Sequence, residues 1–281
     1  MFKRFISVLA ASVLATGYTT SSFAQEGEES LDTLERSQAR KKIVACADPY
    51  TFPYSIKNTN PPGFDVEIMQ EIAKAGGMAL EMYWADTGTR GGMSRALRNS
   101  ILKGRCDIFA GVGDNGDDDI LMGQLAFSHP YMAIGYVLVV QNTAAGMNSI
   151  EELAAADIRI GVQMSTPMDD WLFTHGVKRE VYPDNARAMK GMVDGQVDAA
   201  LVWATVPVVA KKNHPEAVFK ISEGFKPREG QQWNLNFLVR KRDKAFKEFI
   251  DEAIQKLLDD GTIKGIVEKY GVPYFAPLDA E

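Results

Sequence analysis

Three aromatic side chains follow the first apolar run of the sequence and are well placed to contact a ligand. The run over residues 43–47 is typical of a buried strand, and Asp48-Pro49 ends it, because a residue before proline disfavours the helical conformation. Tyr50, Phe52 and Tyr54 come next. Since loops at the carboxyl ends of strands form the ligand sites of α/β proteins, we predict that Asp48 and these rings line a cleft. Packing of one or two rings under the sheet is the alternative.

A second group of candidate ligand residues, Gln163, Ser165 and Thr166, precedes Pro167 at the predicted start of a helix. Free backbone amides and the helix dipole at such a start favour an anion or a ligand carboxylate. Ser165 or Thr166 could instead cap the helix with its hydroxyl group, since both residue types are preferred at that position. Both interpretations stay open at the level of sequence.

Four further residues complete the candidate cleft. Arg90 follows the second predicted strand and is the leading basic candidate, although an arginine there is more often a solvated surface residue. Gly113 directly follows the third predicted strand. Trp203 and Trp233 belong to predicted strands in the second half of the chain, and their rings could close over an apolar or planar ligand or simply fill the site.

Residues 111–116 match the glycine pattern G-x-G-x-x-G, but we reject nucleotide binding for them. The aspartates at 114 and 117–119 would repel a pyrophosphate, and no helical pattern follows directly. The same carboxylates could bind a hard cation, yet their spacing matches no calcium loop. We therefore predict a solvated acidic loop and assign no metal site.

Catalysis has no support in the sequence. His129, His175 and His214 lie far apart along the chain, with neither metal-ligand spacing nor a paired nucleophile. No Ser-His-Asp order is present. We expect a non-catalytic protein without a cofactor.

Cys46 and Cys106 are the two cysteines of the chain, and each lies near a predicted strand. In a chain that is exported from the cytoplasm, an even number of cysteines favours a disulfide, because extracytoplasmic compartments are oxidising. Neighbouring parallel strands in register would bring the two thiols together. Two buried free thiols are the alternative.

The first 24 residues have the pattern of a cleaved signal peptide. Lys3 and Arg4 precede an apolar stretch over residues 5–15, and Ser22-Phe23-Ala24 is a small-x-small cleavage site. That stretch is shorter than the ~20 residues that span a bilayer, although an uncleaved amphipathic anchor is an alternative. We expect export to the periplasm, cleavage near Ala24 and no membrane insertion.

The charge of the chain argues against nucleic acid and anionic membranes as partners. The formal net charge is -6, and removal of residues 1–24, whose charged side chains are Lys3 and Arg4, changes it to -8. Excess negative charge repels both kinds of surface. It suits a soluble protein, or one that meets a basic partner.

Strand and helix patterns alternate along the chain, which predicts an α/β protein with a largely parallel sheet covered by helices. Residues 25–41 are polar and are predicted to be a mobile leader or a short surface helix. The alternation occurs twice, so we expect one lobe from residues 42–138 and 237–281 and a second lobe from residues 139–236. Two crossing strands near residues 139 and 236 would form a hinge around a cleft.

Several motifs in order resemble the type II periplasmic solute-binding proteins of the polar amino-acid class, known as family 3. The matching segments are GFDVEI, CDIFAGV, FSHPY, IRIGVQMST, GQVDAALVW and DDGTIKGIVEKYG. The resemblance implies two lobes, each with a mixed sheet flanked by helices, a hinge of two strands, and a small ligand bound between the lobes for an ABC transporter.

A narrower resemblance rests on residues 46–49, 104–107 and 201–203, which are similar to the J proteins of methanol-dehydrogenase clusters (MxaJ and XoxJ type). That resemblance implies an accessory protein that interacts with, or helps to activate, a periplasmic quinoprotein (PQQ) alcohol dehydrogenase.

Two charged ligand anchors of the amino-acid receptors are missing from this chain. Those receptors carry an arginine just before the FSxPY element, but residues 119–124 contain none. Trp203 stands where they carry an aspartate for the substrate ammonium group. Because burying unpaired charges is costly, we expect a quinoprotein accessory protein. The alternative is a transport receptor for a small organic solute that is not a standard amino acid.

Overall fold

The computed structural model describes residues 32–114, 116, 118–228 and 230–278. The expected signal peptide over residues 1–24 and the first residues of the polar leader therefore lie outside the described part of the chain. So do Asn115 and Asp117 of the acidic loop.

The first part of the chain alternates strands and helices as the sequence predicts. Its elements are α1 (Thr33–Arg40), β1 (Lys42–Ala47), β2 (Tyr50–Thr51), β3 (Ser55–Ile56), α2 (Phe64–Ala75), β4 (Ala79–Trp84), α3 (Gly92–Asn99), β5 (Ile108–Asp114), β6 (Leu125–Phe127) and β7 (Met132–Val140).

The second alternation and the C-terminal helices complete the fold. The elements are α4 (Ile150–Ala155), β8 (Ile160–Gln163), α5 (Pro167–Thr174), β9 (Arg179–Tyr182), α6 (Asn185–Val193), β10 (Ala199–Trp203), α7 (Val206–Asn213), β11 (Lys220–Ile221), β12 (Gln232–Arg240), α8 (Lys244–Asp259) and α9 (Thr262–Lys269).

Two long strands, β7 and β12, join two groups of parallel strands in the order β4-β1-β5-β12-β7-β10-β8-β9. β1 pairs in parallel with β4 and β5, and β8 pairs in parallel with β10 and β9. β12 runs antiparallel to both β5 and β7, and β7 runs antiparallel to β10. The expected mixed sheets flanked by helices are therefore confirmed.

β7 passes from one strand group to the other within its own length. Its residues up to Gly135 pair with β12, and its residues from Tyr136 onward pair with β10. The return to the first group begins at Gln232. Both crossings lie a few residues before the positions near 139 and 236 that the sequence predicts. An apolar run marks a strand, but it does not show where along the strand the pairing partner changes.

The helices cover the sheet with the apolar faces that their periodicity predicts. α2 buries Val66, Ile68, Met69, Ile72 and Ala73. All nine residues of β7 are buried, which suits a strand covered on both faces.

Residues 33–40 of the polar leader form a helix that is fastened to the body of the protein. Thr33 and Ser37 are fully buried. Thr33 donates to Asp243 and accepts a hydrogen bond of 2.8 Å from Arg240. Composition did not reveal this docking, because the buried face of α1 is held by hydroxyl groups rather than by apolar side chains.

The predicted disulfide joins Cys46 to Cys106, with 5.7 Å between their Cα atoms. Cys46 lies near the end of β1, whereas Cys106 precedes β5 instead of starting it. The apolar run in this segment predicts a strand over residues 106–112, whereas β5 begins two residues later, at Ile108.

Other boundaries also differ from the sequence prediction. The spacing of Met93, Leu97 and Ile101 predicts one helix over residues 90–102, but α3 covers Gly92–Asn99 and a separate 3-10 turn covers Ile101–Lys103. α7 was not predicted, because valine and proline dominate its first turn and are poor helix formers away from a helix start.

In the described part of the chain, every helix is too short or too polar to cross a membrane.

Candidate functional site

A cavity of about 480 Å³ opens where the loop after β1, the strand β5 and the junction of β7, β10 and β12 come together. Its volume lies within the range that is usual for small-molecule sites. Its walls are formed by the residues Asp48, Thr51, Tyr54, Ser55, Asp65, Thr87, Met93, Phe109, Ala110, Gly111, Gly113, Ile134, Trp203, Trp233 and Leu235.

Asp48 shapes the loop after β1. Its carboxylate accepts hydrogen bonds from the backbone amide of Tyr50 at 2.7 Å, and from the amide and hydroxyl groups of Thr87 at 2.6 and 2.5 Å. Its backbone carbonyl accepts a hydrogen bond from Ser55 Oγ at 2.7 Å. With its carboxylate engaged by three donors, Asp48 orders the cavity rim.

Aromatic rings from distant parts of the chain form one wall of the cavity. Trp203 Nε1 donates a hydrogen bond of 3.0 Å to Tyr54 Oη. The ring of Trp203 lies 5.3 Å from that of Trp233 and 5.8 Å, edge to face, from that of Tyr136. Burial raises the pKa of Tyr54 to about 12, so its hydroxyl group stays neutral and can accept this bond.

Asp65 places a buried carboxylate at the same cavity. The residue is 1% exposed, and Tyr131 Oη donates to its Oδ1 at 2.7 Å. Burial raises the pKa of Asp65 to about 7, and the hydrogen bond from Tyr131 offsets part of this increase. Gly111 leaves room for the second oxygen, because a Cβ atom there would lie 2.4 Å from Asp65 Oδ2.

Among the described residues, the wall of the cavity carries acidic but no basic side chains. Asp48 and Asp65 are its ionisable carboxyl groups, and no lysine, arginine or histidine is among the lining residues. Neither carboxylate forms an ion pair within the described residues. The site therefore offers no cationic group to hold a ligand carboxylate.

Five of the predicted ligand residues lie on the cavity wall: Asp48, Tyr54, Gly113, Trp203 and Trp233. Three other residues lie away from it. Tyr50 is 76% exposed. Phe52 packs against Tyr270 and under the amino group of Lys212. Arg90 is exposed on the loop before α3.

The backbone turn between β2 and β3 explains why the three aromatic residues separate. Tyr54 N donates to Thr51 O at 2.8 Å, which closes a tight turn through Phe52 and Pro53. The side chains of the turn therefore point in different directions, and Tyr54 faces the cavity.

Gln163, Ser165 and Thr166 do not line the cavity, and the start of α5 is occupied by the protein itself. Thr166 Oγ1 caps the helix by accepting from Asp169 N at 3.3 Å. The Ser165 amide donates to Asp169 Oδ2 at 2.9 Å, so a carboxylate of this chain takes the place expected for an anion. Gln163 Oε1 accepts from Asn185 at 2.7 Å.

Asp65 and the β5 residues Phe109, Ala110 and Gly111 are cavity residues that sequence reasoning missed. Asp65 is part of the GFDVEI segment, but an acidic residue in the first helical turn is adequately explained by the helix dipole. Residues 109–111 lie in a predicted strand, and their alternation alone does not show which face meets a cavity. Among the described residues, no group of three or more His, Cys, Asp or Glu side chains is arranged to hold a metal ion.

Comparison with known proteins finds relatives along nearly the whole chain. The L-cystine-binding protein TcyJ of Escherichia coli is 25% identical over 272 residues, which cover 94% of this chain and 93% of TcyJ. The cyclohexadienyl dehydratase of Pseudomonas aeruginosa is 21% identical over 276 residues, which cover 96% and 94% of the two chains.

Solved structures share the fold. The L-cystine solute receptor of Neisseria gonorrhoeae, in its unliganded open conformation, matches with a TM-score of 0.69 at 19% identity and covers 88% of this chain and 100% of its own. An ancestral cyclohexadienyl dehydratase matches with a TM-score of 0.64 at 18% identity, over 85% and 96% of the two chains.

These relatives support the wider of the two resemblances seen in the sequence and lend no support to the narrower one with the J proteins. The decisive match is to a family model that covers residues 42–273. This chain therefore belongs to the bacterial extracellular solute-binding proteins, family 3.

Proposed function

We propose that this protein binds a small organic solute other than a standard amino acid and presents it to an ABC permease. The observation that carries the proposal is a cavity of about 480 Å³ whose wall, in the part of the chain that the structure describes, has no positively charged side chain. An amino acid would bury its carboxylate there without a partner, which is unfavourable. The likeness to the L-cystine-binding protein TcyJ supports the general role, while the wall of the cavity supports a different ligand class.

Binding measurements on the exported form test this proposal. Thermal-shift and calorimetric titrations would use four matched panels of small solutes: zwitterionic amino acids, organic anions, neutral compounds and organic cations. We expect micromolar binding within the neutral or cationic panel and none within the zwitterionic panel. Tight binding of cystine or another amino acid would contradict the proposed ligand class. The absence of binding in all four panels would contradict the solute-binding role.

The proposed role includes a periplasmic location and a hinged two-lobe organisation. We propose that residues 42–138 and 237–281 form one lobe and residues 139–236 the other, with signal-peptide cleavage near Ala24. The family description as extracellular supports export. Mass spectrometry of the protein from a periplasmic fraction, with Gln25 as its first residue, is the expected result.

A non-catalytic role is part of the same proposal. One relative is a dehydratase, but the acidic groups on this cavity wall are Asp48, which is held by three donors, and Asp65, which is buried against Tyr131. We expect no turnover when the purified protein is incubated with a cyclohexadienyl substrate. Product formation that Asp65→Asn abolishes would contradict this expectation.

A second candidate function is that of an accessory protein for a periplasmic quinoprotein alcohol dehydrogenase. The hydrogen bond between Trp203 and Tyr54 favours it, because the two polar groups are paired with each other and not left free to bind a solute. Affinity capture from a periplasmic extract distinguishes the candidates. Recovery of a PQQ dehydrogenase whose activity rises on addition of this protein would support the accessory role. If no dehydrogenase is captured and a solute binds with micromolar affinity, the receptor role would be supported.

A further inference from the structure

Among the described residues, Asp65 is a buried carboxyl group with no basic side chain paired to it. It is 1% exposed, and Tyr131 donates the hydrogen bond that the described residues make to its side chain. Tyr131 is itself fully buried and neutral. Within the described chain, Asp65 has no ion-pair partner, so the ionised form keeps a large part of its desolvation penalty.

The second acidic group of the cavity differs from Asp65 in this respect. Asp48 accepts three hydrogen bonds, from the amide groups of Tyr50 and Thr87 and from the Thr87 hydroxyl group. Hydrogen bonds of this kind stabilise a carboxylate in its charged form. A positively charged ligand would therefore lower the free-energy cost of ionising Asp65 more than that of ionising Asp48.

The cavity is also lined by aromatic residues, a residue class whose ring faces attract cations. Tyr54 adjoins Asp65 directly, since the backbone amide of Asp65 donates to Tyr54 O at 3.0 Å. Trp203 is bonded to the hydroxyl group of Tyr54, and Trp233 packs against Trp203. The negative faces of such rings stabilise an ammonium ion within about 6 Å, most strongly where water is excluded.

We propose that the solute is a small organic cation whose ammonium group is held by Asp65 and by the aromatic side chains of Tyr54, Trp203 and Trp233. This inference rests on the proposed solute-binding function and names the ligand class for the same cavity. The carboxylate supplies the balancing charge, and the rings enclose the alkyl groups around the nitrogen. The same arrangement disfavours zwitterions, since their carboxylate would lie near Asp65 without a basic side chain to hold it.

The test compares cations with their uncharged carbon analogues, in which carbon replaces the quaternary nitrogen. Calorimetric titration would use choline and benzyltrimethylammonium, each with its carbon analogue. We expect each cation to bind at least tenfold more tightly than its analogue. Equal or tighter binding of the analogues would overturn the cation assignment but leave the solute-binding function intact. If no solute of any class binds, the cation assignment and the solute-binding function are both overturned.

Substitutions identify the anchor. Asp65→Asn keeps the size of the side chain and an acceptor for Tyr131, and we expect it to weaken choline binding at least tenfold while changing analogue binding less than twofold. Glu248→Gln removes one negative charge from an exposed position of α8 and serves as the matched control, with no expected effect. Undiminished choline binding by Asp65→Asn would overturn the role of this residue.

A measurement on the unaltered protein keeps the proposal testable if Asp65→Asn does not fold. The titratable side chains that bear on Asp65 are Tyr131 and Tyr54, and both have a pKa raised by burial, so they stay neutral near pH 7. No charged side chain of the described α8, α9, β1, β4 or β5 forms an ion pair with it. Choline, whose own charge does not change with pH, should therefore bind more tightly at about pH 8 than at about pH 6. A pH-independent affinity would contradict the proposal.

Discussion

The buried carboxyl group of Asp65 makes the stability of the protein depend on pH. Burial raises its pKa from the ordinary 3.8 to about 7. Between these values the folded protein holds a proton that the unfolded chain releases. The free energy of unfolding therefore falls as the pH rises through this range, and it levels off above the folded-state pKa.

We expect Asp65→Asn to remove this dependence. Between about pH 4 and about pH 8, the free energy of unfolding of the wild-type protein should fall relative to that of the variant, by an amount on the order of a few kcal/mol. Each unit of pKa change corresponds to about 1.4 kcal/mol. Urea denaturation at both pH values measures the difference. Glu248→Gln controls for the loss of one charge, and a constant difference between wild type and Asp65→Asn would contradict the prediction.

The hydrogen bond from Trp203 to Tyr54 couples two residues that lie 149 positions apart. Tyr54→Phe and Trp203→Phe each remove it while keeping an aromatic ring. In a double-mutant cycle we expect a coupling energy of about 1 kcal/mol in the free energy of unfolding, the usual net value of such a bond. Strictly additive single effects would show that the bond contributes nothing to the folded protein in solution.

At the scale of elements, a buried polar cluster attaches α1 to the rest of the molecule. Arg240 donates to Asp243 at 2.7 Å, to the carbonyl oxygen of Cys106 at 2.7 Å and to Thr33 Oγ1 at 2.8 Å. The cluster therefore joins the N-terminal helix, the loop that carries the disulfide and the end of β12. Each member is buried, so the loss of one leaves its partners uncompensated.

We expect Asp243→Ala to lower the free energy of unfolding by about 3 kcal/mol, because it removes the nearer of two buried carboxylates from Arg240 and leaves Asp107, at 3.6 Å, as the remaining ion-pair partner. Arg242→Ala is the matched control. Its side chain is 71% exposed and lies 3.9 Å from the same carboxylate, so its effect should stay within about 0.5 kcal/mol. Chemical denaturation measures both, and equal effects would contradict the assignment of the cluster to the stability of the core.

At the scale of the molecule, the two strand groups meet where β7 changes partner. Gly135 lies at that point, and a Cβ atom there would be 2.4 Å from Gln231 O and 3.1 Å from Gln232 Cα. Both contacts are with backbone, which cannot move without separating β7 from β12. The absence of a side chain at this residue is thus a condition for the junction that forms the back of the cavity.

We expect Gly135→Ala to cost about 1–3 kcal/mol in stability and to weaken solute binding, since Ile134 and Trp233 of the cavity wall belong to the same two strands. Gly265→Ala in α9 is the control, because no atom lies within 4 Å of the added Cβ. It should be neutral or stabilise by up to about 1 kcal/mol. Unchanged unfolding and binding in Gly135→Ala would show that the junction tolerates a wider spacing.

Much of the fold was predictable because it rests on local patterns. The buried faces of α2 and α8, the N-cap of α4 by the Ser149 hydroxyl group, and Pro167 in the first turn of α5 all reflect rules that act within a few residues. The short pairing of β2 with β3 and the helix α7 escaped prediction. Their sequences lack a clear period, and contacts with the rest of the protein select their conformation.

The sequence by itself determined that the chain is an α/β protein, since the alternation of strand and helix patterns follows from residue types in order. Only the tertiary structure decided which side chains meet at the cavity. It separated Tyr54 from Tyr50 and Phe52, joined Tyr54 to Trp203, and placed Asp65 on the wall with no basic side chain among the described lining residues. The physical reason is that the charge balance and exposure of a side chain depend on neighbours that are distant in the chain, and no local pattern records them.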